Sequence, residues 1–132
     1  MSRLPRAQEL LKSGFNAEAA SAARLRAVAA RADRDQKPNL AVALRELAGE
    51  KDALAATQLE AAGQVHGGEH DLAAALAEER YENDALYPSM WREVDEATAS
   101  VFRDVVARQE RHAERLSGLI DALTRSRGDL PA

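Results

Sequence analysis

Residues 75–88, ALAEERYENDALYP, decide how the chain is read. They begin in Ala and Leu at helical spacing, yet two glutamates three residues apart, Glu79 and Glu82, fall inside the run from Leu76 to Leu86 that should face a core. A Tyr-Pro pair, Tyr87-Pro88, follows. An isolated glutamate on a helix is by default a solvated one. The question is whether these two face water or the interior, and what they meet there.

The rest of the chain sets the frame. Its 132 residues make one ordinary domain, read as a single unit over 1–132 with enough length for a sizeable core. Hydrophobic residues are 45% and charged residues 30%, the balance of a globular rather than a disordered chain. Aromatics are only 4% and much of the apolar content is Ala, which favours helices whose axes approach closely. The net charge of −4 has both signs interspersed, with no basic patch interleaved with aromatics, so nucleic acid is not expected as a partner. No apolar run approaches the ~20 residues of a membrane span. The stretch MSRLPRAQELLKSGF lacks an apolar region of signal-peptide length. No membrane partner is therefore expected, and the cytoplasm is the expected location. The absence of Cys excludes disulfides, cysteine nucleophiles and thiolate metal sites.

Punctuation divides the sequence into four helical segments. Pro5 suits the first turn of a helix running to about 33. Pro38-Asn39 precedes a second over about 40–63, and Gly63, Gly67 and Gly68 break it from a third over about 71–93, with Asp71 as the expected N-cap. Pro88 should kink or end that third helix. The fourth runs over about 95–126. Strand signals are nearly absent. Four helices of roughly 25–30 residues, each about 40 Å long, predict an all-α four-helix bundle.

Apolar stripes at 3-4 spacing run through Leu11, Phe15, Glu18, Ala22, Leu25, Ala29 and Ala32 in the first helix, and through Leu40, Ala43, Leu47, Glu50, Leu54 and Ala61 in the second. The third gives Leu72, Leu76, Glu79, Glu82, Leu86 and Met90; the fourth gives Val101, Val105, Gln109, His112, Leu116, Leu119 and Leu123. Each stripe has its polar interruption near mid-helix, so in a bundle Glu18, Glu50, Glu79/Glu82 and Gln109/His112 should converge at one level. Four buried carboxylates repel one another and lose hydration. They persist if they are protonated, turned to solvent or balanced by cations; two divalent ions carry the matching charge. Glutamates and imidazole projecting into a helical bundle are a ligand set for di-iron and di-manganese centres.

The stretches EERYENDALYP and VFRDVVARQERHAERL resemble the second helix pair of rubrerythrins, members of the ferritin-like superfamily. Glu79, Glu82, Tyr87-Pro88, Phe102 and His112-Ala113 fall in register with the family's Glu-x-x-Glu, Tyr-Pro and Glu-x-x-His-Ala motifs, and LLKSGFNAE more loosely matches its opening segment. The similarity spans most of the chain, with specific motifs only in 78–116. It implies a ferritin-like bundle with Glu18, Glu50, Glu79, Glu82 and His112 as metal ligands and two Fe ions, or Mn, as cofactor. The implied chemistry is a reaction with peroxide or dioxygen, or oxidation and handling of Fe(II), that is, a peroxidase- or ferroxidase-type oxidoreductase.

Two positions depart from the family pattern. Gln109 stands where a carboxylate is expected, either as a weak ligand or as a hydrogen-bond partner of the ligands, and Ala53 stands where an imidazole is expected. These departures support the alternative of a metal-free bundle serving as a structural or interaction module. With no rubredoxin-type Cys cluster, electrons are expected from a separate donor or from Fe(II) itself. The short connection around Gly67-Gly68 spans at most ~25 Å. It therefore implies an up-down-up-down bundle or helix pairs exchanged in a homodimer. His66 and His70 are read as loop residues, Met90 and Trp91 as packing residues near the bundle end or in a dimer contact, RQERHAER as a solvated face, and Arg127-Gly128-Asp129 as a chance tripeptide.

Overall fold

The computed structural model describes residues 3–126 and 128–131; Arg127 of the Arg-Gly-Asp tripeptide lies outside them. The chain is all-α, with four helices, the third of them compound: α1 (Arg3–Arg34), α2 (Pro38–Ala61), α3 (Gly68–Tyr81) continued by a π-helical turn (Glu82–Leu86) and α4 (Tyr87–Trp91), and α5 (Glu96–Arg125). The chain divides into two compact units, Met1–Val65 and His66–Ala132. No helix among the described residues is long and apolar enough to cross a membrane.

The first unit is a helical hairpin of α1 and α2. Its turn works because Gln36 adopts φ 61°, allowing the Lys37 N–H to reach the Ala32 carbonyl at 2.8 Å. Pro38 then opens α2, where its missing N–H costs nothing. Gly63, at φ 74°, ends α2 in the left-handed conformation that a side chain disfavours. On α1 the expected stripe is the packed one: Ala22, Ala29 and Ala32 are buried and Leu11, Phe15, Glu18 and Leu25 partly so. On α2 the packed stripe lies one residue beyond the expected one: Ala41, Ala48, Ala55 and Ala62 are buried, while Leu40, Leu47, Glu50 and Leu54 are exposed. Alanines on both helices let the backbones approach closely, so the small residues are drawn into the contact with Leu44 packed against them, and Leu40, Leu47 and Leu54 are left outside it.

In the second unit α3, the π-helical turn and α4 pack on α5. Gly67, not Asp71, is the residue that flanks the start of α3. Asp71 lies inside the first turn and reaches back to accept from the N–H groups of His66 and Gly67, the latter at 2.6 Å. Those N–H bonds, Gly67 first and then His66, hold its carboxyl below the usual carboxylate range. His66 and His70 face each other with ring centroids 4.2 Å apart, and His70 belongs to the first turn of α3 rather than to the loop.

The sequence leaves a kink or an end open at Pro88, and the helix does not end there. It widens instead: the Tyr87 N–H bonds the Glu82 carbonyl, five residues back, and Pro88 falls in the first turn of α4, where no N–H is needed. Tyr87 packs on Phe102 of α5, ring centroids 5.8 Å apart. Asp95 caps α5 by accepting from the Thr98 N–H at 2.8 Å, and the bonds from Thr98 hold its carboxyl below the usual range. Within the expected α5 stripe, Val101 is exposed and the neighbouring Phe102 and Val106 pack inward.

Candidate metal-binding site

Six residues were singled out by pattern, and each unit holds some of them. Glu18 and Glu50 lie in the first unit, Glu79, Glu82, Gln109 and His112 in the second. Among the described residues, no three His, Asp or Glu side chains are placed to share one metal ion.

In the first unit Glu18 faces α2, as its stripe requires, but what it meets is a cation of the chain itself. Lys51 Nζ donates to Glu18 Oε1 at 3.0 Å, with both side chains partly buried. Glu50 is exposed on the leucine face of α2. Asp52 is paired with Arg26, whose hydrogen bond lowers the Asp52 pKa, and Asp33 is paired with Arg45 at 2.6 Å. The acids at this hairpin contact are therefore balanced by side-chain cations already in place.

The second unit differs. Glu79 and Glu82 are partly buried on the α3 side, and among the described residues neither has an ion-pair partner. Glu82 Oε1 accepts from Gln109 Nε2 at 3.0 Å across the contact with α5. With its amide nitrogen committed to a carboxylate, Gln109 must turn its Oε1 elsewhere, and that oxygen is buried with no donor. Glu79 Oε2 and Asn83 Oδ1 are likewise buried without partners, and Asn83 as a whole is only 8% exposed. Each such unmet buried acceptor costs about 1–3 kcal/mol.

Beside this group an open groove of about 420 Å³ is lined by Ala75, Glu79, His112, Arg115, Leu116 and Leu119. His112 is exposed at its edge rather than inward, and it also borders a depression of about 600 Å³ with Arg108 and Arg111. The structure thus brings Glu82 to Gln109 and Glu79 to the groove of His112, and gives Glu18 to Lys51.

The stripes pointed to Glu79, Glu82 and Gln109 but missed Asn83 and Lys51. Asn83 could have been found from its place four residues after Glu79, one helical turn on. Lys51 sits in line with Ala48 and Ala55, a seam that hydropathy underweights. The donor types of the second unit, carboxylate and amide oxygens with an imidazole at the rim, are those that hard or borderline divalent cations such as Mn(II) or Fe(II) take. The first unit does not fit one at Glu18. No family model, curated protein or solved structure matches this chain.

Proposed function

We infer that the chain is a metal-binding protein of rubrerythrin type, a non-haem iron or manganese carboxylate protein reacting with peroxide or dioxygen or oxidising Fe(II). Its metal-binding group is centred on Glu79 and Glu82. The observation that carries this is the set of orphaned buried oxygens, Glu79 Oε2, Asn83 Oδ1 and Gln109 Oε1, in the unit where Glu82 accepts from a neutral amide and from no cation. The π-helical turn at Glu82–Leu86 adds support, since such turns often accompany functional sites.

Bound iron would supply one-electron exchange with the oxidant. The chain's own residues do the rest. Gln109 fixes the rotamer of Glu82, the groove admits a small oxidant beside Glu79, and His112 at its rim can carry a proton. Arg115 lines the same groove. The same resemblance supports a ferritin-like bundle, completed within one chain or by a homodimer, and a separate electron donor.

A second reading, a metal-free helical module, is favoured by the Glu18–Lys51 pair and the exposure of Glu50. Anaerobic loading with Fe(II), desalting and metal analysis separates the two. Retained iron that is lost in Glu79→Gln/Glu82→Gln supports the first. No retained iron, with the double variant as stable as the parent in chelator or in metal, leaves only the second.

A further inference from the structure

The α1–α2 contact is a seam of alanines with one charged pair set in it. Ala48 and Ala55 flank Lys51 on α2, Ala22 follows Glu18 by one turn on α1, and all three alanines are buried. Lys51 and Glu18 are 34% and 23% exposed along their side chains, so the pair is shielded from water on most sides. A metal ion bound to Glu18 would sit at about 2.0–2.6 Å from a carboxylate oxygen. With the Lys51 ammonium 3.0 Å from Oε1, ion and ammonium would be close neighbours of like charge in a poorly hydrated contact. The two therefore compete for that carboxylate, and the ammonium is already in place. Elsewhere in this hairpin the same solution recurs, Arg26 with Asp52 and Arg45 with Asp33. The second unit has no such cation on Glu79 or Glu82 among the described residues.

We propose that Lys51 is a built-in cation standing in for a metal ion at Glu18, so that the first unit takes up no divalent ion. Metal binding, which rests on the function inferred above, is then confined to the Glu79/Glu82 group. A carboxylate set that in the resemblance would share two ions is divided here: one part neutralised permanently by an ammonium, the other left for an exchangeable metal. A fixed ammonium cannot be chelated, oxidised or exchanged, so the hairpin of α1 and α2 holds its charge balance whatever the metal supply.

The test uses the full chain and Mn(II), with melting temperature followed by circular dichroism and bound Mn(II) counted by electron paramagnetic resonance. In a Glu79→Gln/Glu82→Gln background, the Lys51 protein should show no Mn(II)-dependent rise in melting temperature. Adding Lys51→Glu, which sets a second carboxylate against Glu18, should lower the melting temperature in chelator, and millimolar Mn(II) should recover part of that loss. Adding Glu18→Gln should abolish both the loss and the recovery. Lys51→Asp is the second variant, a shorter carboxylate if Lys51→Glu folds poorly.

A Mn(II) response in the Lys51 protein that disappears with Glu18→Gln overturns the proposal. So does a Lys51→Glu or Lys51→Asp protein that Mn(II) does not rescue. The function inferred above fails separately, when the unaltered chain binds no Mn(II); the Lys51 variants then still support or overturn the ammonium's role on their own.

Discussion

Replacing Glu79 by Met should change the stability of this protein in opposite directions with and without metal. Met keeps the length of the side chain and removes a carboxylate whose Oε2 is buried without a partner. An unmet buried acceptor costs about 1–3 kcal/mol. Glu79 as a whole is only partly buried, which places the gain at the low end, about 1 kcal/mol. For a chain of this size that is a rise in melting temperature of about 3–5 °C in the presence of chelator.

With Mn(II) at a hundred times its dissociation constant, the unaltered protein gains about 2.7 kcal/mol by linkage and the variant gains none. The order then reverses, with Glu79→Met about 1.7 kcal/mol the less stable, the difference of those two figures. Thermal melts of both proteins in EDTA and in Mn(II) give the four numbers needed. A variant that melts lower in EDTA and responds to Mn(II) as the parent does would refute both the orphaned oxygen and the metal site.

Three other outcomes are expected. Gln109→Glu replaces the amide that donates to Glu82 with a second carboxylate, so in chelator it should destabilise by about 1.5–3 kcal/mol. In a Mn(II) titration it should bind more tightly, because ligand charge rises. The neighbours Leu47 and Ala48 should respond in the opposite sense to their sizes: Leu47, 48% exposed, should lose roughly 1 kcal/mol or less on Leu47→Ala, whereas Ala48→Leu overpacks a fully buried site and should cost about 1–3 kcal/mol in urea unfolding. The Asp71 carboxyl is held low by the Gly67 and His66 N–H groups. Its contribution is therefore complete above the unfolded value of about 3.9 and lost as pH falls through its lower folded value. Asp71→Asn should melt lower than the parent at neutral pH, and the gap should close as pH drops below 4 toward the folded value, which a melting series over acid pH will read.

Much of the architecture was legible from the chain alone. The breakers at Pro38 and Gly63–Gly68 are local devices, read by neighbouring residues whatever the rest of the chain does, and the helices begin and end within a few residues of the expected bounds. The α1 stripe was legible too, because its large residues and its alanines lie on one side. The Pro88 region was not, since a proline can be accommodated by ending a helix or by widening the turn before it. Packing of Tyr87 on Phe102 accompanies the second solution here.

The sequence by itself thus determined that the chain is helical, where its helices lie, and that Glu79, Glu82 and Gln109 interrupt apolar faces. Only the tertiary structure decided which face of α2 is inside, because α2 carries a leucine stripe and an alanine stripe one residue apart. Hydropathy ranks the leucines first, and close approach of two backbones selects the alanines. The same choice puts Lys51 in the seam opposite Glu18 and leaves Glu50 outside it. Charge partners are set by distance in space, and a list of glutamates at helical spacing contains no such distances. Glu18 and Glu82 look alike in sequence, yet one is answered by an ammonium and the other by an amide whose own oxygen is left without a donor.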